Sequence, residues 1–158
     1  MPAQPQRAAS TNFEIDHGTH TIRLSRILDA SCDEVFDAWT TQDDMRCWWD
    51  AAGETLALCE IDLRVGGAFK FVSRGHPDMP FAGLYREIVR PERLIFEAMG
   101  ATGRVLLQNI GGKTHMTVEI ACATGEQLNN YLKMGIAAGT SQTLDNLVAY
   151  LDRGAFRT

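Results

Sequence analysis

Tyr85 and Glu87 are the two residues of this 158-residue chain best placed to do chemistry. They close an alternating run of Phe81, Gly83, Tyr85 and Glu87, and along a strand every second side chain shares a face. A phenol and a carboxylate turned into an apolar cavity could serve as acid, base or oxyanion partner, or simply orient a bound molecule. The plainer alternatives are a solvated Glu87 at a strand end and a core Tyr85 whose hydroxyl reaches backbone or water. Arg104 and Gln108 come next, and the alternation around them leaves open which face of their strand would line a cavity.

The other reactive residues form no constellation. His17 and His20 lie beside the N-terminal segment, His76 sits in a turn, and His115 falls on the strand face opposite Met116 and Val118, which points it outward. No HxxxH, HExxH or paired Cys/His spacing suggests a metal, and no cofactor motif is present. Ser73 and Ser141 lack an evident base and no GxSxG occurs, so nucleophilic catalysis has no positive support. Cys32, Cys47, Cys59 and Cys122 show no CxxC spacing; they read as reduced, mostly buried thiols of a cytoplasmic protein.

Charge and composition narrow the partners. A net charge of −5 without a basic stripe argues against nucleic acid. No run approaches the ~20 apolar residues of a membrane helix, so Gly135 and Gly139 are not a membrane GxxxG motif. Residues 1–7 contain no apolar stretch and show no signal peptide. The length suits a single domain able to bury roughly 70% of its unfolded surface.

These residues need elements to position them. Residues 1–12, rich in Pro, Gln, Ala and Ser, read as a flexible tail, with one domain over residues 13–158. Residues 19–28 alternate as a strand. Ser31 and Glu34 then have the spacing of a capping box, opening a short helix with Val35, Phe36 and Trp39 on its apolar side. Thr41 is placed to cap a second short helix, with Asp43 and Asp44 in its first turn. Trp48 and Trp49 are adjacent and cannot share one helix face, which predicts one of them at the core edge or at a cavity mouth.

After Gly53 the period becomes two. The expected strands are 56–62, 67–73, 81–89, 94–99, 104–110 and 114–122, separated by short Gly- and Pro-containing breaks. Connections so short imply an antiparallel meander. Residues 126–153 read as one long helix, with Met134, Ala137, Ser141, Leu144, Val148 and Leu151 on a stripe and Leu147 beside it. The middle of that stripe, residues 135–141, is nearly all small. Two helical glycines cost about 1 kcal/mol each relative to alanine. Either another backbone packs closely there, or the small residues roof a ligand cavity. The expected fold class is α+β: about seven curved antiparallel strands wrapped round the C-terminal helix, with two short helices after the first strand.

The run Leu28-Asp29-Ala30-Ser31-Cys32-Asp33-Glu34-Val35-Phe36-Asp37-Ala38-Trp39-Thr40 resembles the opening of the START-like (SRPBCC) superfamily. More specifically it is similar to the branch named after the activator of heat-shock protein 90 ATPase. Trp48-Trp49, Asp62-Leu63-Arg64-Val65-Gly66-Gly67 and the stretch from Gly83 to Leu94 follow in that branch's order, and Gly139 through Leu151 resembles its final helix. The resemblance spans residues 19–153. It implies the helix-grip (START-like, Bet v-like) fold, with a hydrophobic cavity that in many members takes lipids, polyketides or other apolar molecules. Thr140 stands where many relatives carry tryptophan, which implies more room beneath the helix.

Three functions follow in order. The first is binding of a small hydrophobic or aromatic molecule. Its expected lining is Trp48, Phe69, Phe71, Phe81, Tyr85, Glu87 and Phe96 on one side, with Arg104, Met116 and Val118 beyond. Met134, Ala137, Thr140, Ser141 and Leu144 would close it from the helix. The second is a polyketide cyclase-like or aromatase-like enzyme on the same scaffold. The third, a chaperone ATPase activator, ranks last, because the eukaryotic co-chaperones carry an additional N-terminal domain and only a short tail precedes the START-like part here. The oligomeric state is left open, a homodimer through a sheet edge or helix included.

Overall fold

Alternating apolar residues and tight turns assemble one sheet, and the helices cover its inner face. The computed structural model describes residues 13 to 153; the expected tail over residues 1–12 lies outside the described residues. The order is β1 (Glu14–Asp16), β2 (Thr21–Leu28), α1 (Cys32–Thr40), α2 (Gln42–Trp48), β3 (Leu58–Ile61), β4 (Ala68–Val72), β5 (Phe81–Val89), β6 (Arg93–Ala98), β7 (Ala101–Ile110), β8 (Lys113–Ala121), α3 (Gly125–Lys133) and α4 (Ile136–Asp152). The strands form one antiparallel sheet in the order β1-β2-β8-β7-β6-β5-β4-β3. Strands β3 to β8 are the expected meander, and β2 returns to pair with β8. The eighth strand is β1, whose Glu-Ile-Asp is too short to show a period.

Register puts the apolar residues in rows. Leu24, Val118, Val105 and Leu94 are cross-strand neighbours on the inner face, and each is buried. The next row runs Ile22, Ile120, Gly103, Phe96 and Tyr85. Between Tyr85 and Glu87 the ladder slips, since Tyr85 opposes Phe96 but Glu87 opposes Ile95. Arg86 is therefore a bulge, and a single extra residue inverts the alternation after it. Ile88 then shares the face of its buried partner Leu94, and Glu87 turns outward.

The capping box closes α1: the Glu34 N–H donates to Ser31 Oγ at 3.1 Å, and the Ser31 N–H donates to the Glu34 carboxylate at 2.9 Å. Thr41 holds the N-cap position of α2, but its side chain makes no capping bond.

The expected single helix over residues 126–153 is two helices. Gly135 takes φ +78°, a left-handed conformation that ends α3 and redirects the chain into α4. Periodicity does not register such a break, because a glycine inside a helical pattern looks like a tolerated one. Met134 consequently drops off the apolar stripe and is 60% exposed. From Ala137 onward the stripe holds, with Ala137, Ser141, Leu144, Leu147 and Leu151 buried against the sheet.

One polar contact on the inner face fixes where α4 lies. Arg26 projects from β2 beneath the helix, and its guanidinium donates to Asp145 Oδ1 at 3.1 Å, Ser141 Oγ at 2.8 Å and the Ser141 carbonyl at 3.2 Å. A buried guanidinium needs several acceptors to offset its lost hydration, and α4 presents them. Among the described residues, no helix is long and apolar enough to cross a membrane.

Candidate functional site

A cavity of about 390 Å3 lies between the sheet and the first half of α4. Its sheet wall is Phe81 of β5, Phe96 and Ala98 of β6, Ala101 and Gly103 of β7, and Val118 and Ile120 of β8. Gly135, Ile136, Gly139, Thr140, Thr143 and Leu144 form the roof, and Tyr131 of α3 adds to it. Trp39 and the segment Trp49-Asp50-Ala51 close one side, with Ser73 and His76 from the β4–β5 connection at the rim.

The roof is open where the small residues stand. A Cβ added to Gly139 would meet nothing within 4 Å, so among the described residues no other backbone packs on that glycine. Thr143 and Asn146 instead draw the Trp49 segment to the helix: Thr143 Oγ1 donates to the Trp49 carbonyl at 3.1 Å and Asn146 Nδ2 to the Asp50 carbonyl at 2.9 Å. Tyr131 donates its hydroxyl to the carbonyl of Met99, which holds α3 over the β6–β7 turn. Met99 sits there at φ +56°, a conformation disfavoured for a side chain of its size.

Phe81, Phe96, Val118, Thr140 and Leu144 are the expected lining residues that stand in the cavity wall. Phe69, Phe71 and Tyr85 are adjacent but pack together, with Phe69 5.3 Å from Phe71 and 5.1 Å from Tyr85 between ring centroids. The space left among these rings is about 10 Å3, no more than one water molecule. Burial pushes the Tyr85 phenol up, which keeps it protonated and unsuited to act as a base.

The rest lie elsewhere, each for a local reason. Trp48 is in the core, its indole N–H donating to the Ala38 carbonyl at 3.1 Å; Trp49 takes the cavity position. Met116 is fully buried, its sulfur 3.4 Å from the indole nitrogen of Trp39. Ala137 and Ser141 face the sheet, Ser141 being engaged by Arg26. Met134 lies at the exposed end of α3. The Arg86 bulge puts Glu87 on the outer face, where Arg93 donates to it at 2.9 and 3.1 Å and holds its carboxyl below the usual range. Arg104 is also on the outer face, 3.3 Å from Glu119. The polar pair from which acid–base chemistry would start is thus absent from the wall.

Trp39, Asp50 and Tyr131 are wall residues that the sequence reading missed, and Trp49 is the member of the tryptophan pair that reaches the cavity. A signal existed for Trp49: Met45 and Trp48, three apart, form the buried side of α2, so the next residue points about 100° away. Asp50 carried no signal, because its place depends on long-range bonds from α4. Among the described residues, no group of three or more His, Cys, Asp or Glu could hold a metal ion.

A curved antiparallel sheet gripping a C-terminal helix over an interior cavity defines a helix-grip α+β protein. Residues 29–152 match the family described as activator of Hsp90 ATPase homolog 1-like protein, and the chain belongs to that family. It is similar to a crystal structure of a Nitrosomonas europaea protein at 23% identity and TM-score 0.79, over 89% of this chain and 98% of that one. A Mycobacterium smegmatis protein aligns at 16% identity and TM-score 0.78, over 90% and 98% of the two chains. An AHSA1-like protein from Aeromonas hydrophila aligns at 22% identity and TM-score 0.66, over 84% and 93%. At these identities the similarity speaks for the fold alone. No curated protein matches the chain.

Proposed function

We propose that this protein binds a small apolar or aromatic molecule in the cavity under α4. The observation that carries the reading is the open space beneath Gly139 and Thr140, facing a floor of Phe81, Phe96, Val118 and Ile120. A space of about 390 Å3 falls in the range of roughly 300–1,000 Å3 typical of small-molecule sites. An apolar guest there gains about 25 cal/mol for each Å2 it removes from water, before the costs of association.

Glycines are unfavourable inside helices, and packing here does not require Gly139. An unfilled volume beneath it fits a helix shaped for a guest. The aromatic walls suit flat rings, which favour offset or edge-on contacts with Trp49 and Phe96.

The test is thermal denaturation with naphthalene, followed in parallel by tryptophan fluorescence, since Trp39 and Trp49 stand in the wall. A ligand that binds only the folded state raises the midpoint with its concentration. A rising midpoint together with altered fluorescence is expected. A flat midpoint and unchanged emission up to the solubility limit would overturn the reading.

A further inference from the structure

Asp50 is a carboxylate in a mostly apolar wall. The residue is 9% exposed and lies beside Trp49 in the cavity lining. Its Oδ2 accepts the Glu54 N–H at 3.2 Å; among the described residues Oδ1 has no hydrogen-bond partner, and no Arg, Lys or His is paired with it. A carboxylate is an acceptor only, so Asp50 Oδ1 has its lone pairs available to a donor.

Among the described residues no other charge in the wall offsets it. Glu119 contributes to the lining, but its carboxylate is held by Arg23 at 2.8 Å and Arg104 at 3.3 Å on the opposite sheet face. Among the described residues no arginine or lysine lines the cavity, and His76, exposed at the rim, is the sole basic side chain there. The rings of Trp39, Trp49, Phe81 and Phe96 line the cavity, and the face of an aromatic ring attracts cations and repels anions.

We propose that the ligand is an aromatic or polycyclic molecule bearing a protonated amine, and that Asp50 Oδ1 accepts from that amine. This rests on the cavity being a ligand site and names its ligand class. The amine supplies the missing donor, and the aromatic walls add cation–π attraction while the rings of the ligand fill the apolar part. Fatty acids and other anionic amphiphiles are selected against, because their head group would meet Asp50 with no compensating arginine or lysine among the described lining residues. Thr143 and Asn146 are positioning residues: their bonds to the Trp49 and Asp50 carbonyls hold the carboxylate at the wall.

Three probes of one ring system separate this inference from the reading beneath it. Naphthalene, 1-naphthylmethylamine and 1-naphthaleneacetate are titrated at pH 7 against the wild-type protein and Asp50→Asn, by tryptophan fluorescence. The amine is expected to bind the wild type at least about tenfold more tightly than the acid. In Asp50→Asn that preference falls to within about threefold, read as a ratio so that any change common to all three probes cancels. The amide oxygen of asparagine can still accept the Glu54 N–H, so the loop is retained. Should the variant lose its fold, the amine-to-acid ratio in the wild type decides alone. If naphthalene binds and the acid equals or exceeds the amine, the role of Asp50 is overturned and the cavity reading survives. If none of the three binds, both fall.

Discussion

The ring of Phe96 on β6 lies across Gly103 of β7, its direct cross-strand partner, so closely that a Cβ at position 103 would stand 2.4 Å from the ring. Both residues are part of the cavity floor. An aromatic covering a strand glycine restores the contacts that the missing side chain would have made. The glycine sets how flat the floor is.

Gly103→Ala is therefore expected to push Phe96 upward into the cavity. The variant should lose about 1–3 kcal/mol of stability by overpacking. Denaturant unfolding reads the loss, and reduced naphthalene affinity reads the smaller cavity. A variant as stable as wild type with unchanged binding would show that Phe96 has another place to go.

Gly139 behaves in the opposite way. Open space surrounds its missing side chain, so Gly139→Ala should stabilise α4 by about 0.5–1 kcal/mol. For a chain of this size that raises the melting midpoint by about 1–4 °C. Gly139→Trp should also fold but fill the cavity, and the naphthalene-induced rise in melting temperature should vanish in that variant alone.

Arg26 and Asp145 tie sheet to helix at 3.1 Å, the arginine side chain being 9% exposed and the aspartate 33%. Arg26→Met removes the cation and leaves the Asp145 carboxylate short of a donor, at a cost of about 1–3 kcal/mol. The double variant with Asp145→Leu should recover part of it. A double-mutant cycle by chemical denaturation measures the coupling, and a value near zero would remove this pair from the forces that seat α4.

Burial pushes the Cys59 thiol up to about 11. A group raised in the folded state contributes its stability fully below its unfolded value, here 9.0, and loses it as pH rises through about 11. Burial raises Tyr85 and Tyr150 as well, which acts in the same direction. The melting midpoint should therefore fall steadily above pH 9, less steeply in Cys59→Val. At pH 8 a maleimide should label exposed Cys47 well before Cys59.

Much of the architecture was legible because it is written locally. The alternation from Phe81 to Val89 marks β5 with the observed ends. Ser31 and Glu34 announce the start of α1 through two bonds between residues three apart. Elsewhere the pattern was ambiguous for a definite reason. Ala101, Thr102 and Gly103 looked like part of a break, yet they pair with β6 and β8; only a partner strand makes a glycine-containing segment extended. Gly135 ends α3 because of its left-handed backbone, which its neighbours in sequence do not reveal.

By itself the sequence determined the curved antiparallel meander, the short helices after β2 and the small-residue stretch in the last helix, since each depends on residues within a few positions of one another. Tertiary structure decided which aromatic rings press together and which leave room. One bulge at Arg86 turned Glu87 outward, and bonds from α4 brought Trp49 and Asp50 to the wall. Those outcomes depend on register and on contacts between residues far apart in the chain, where a shift of one position exchanges inside for outside.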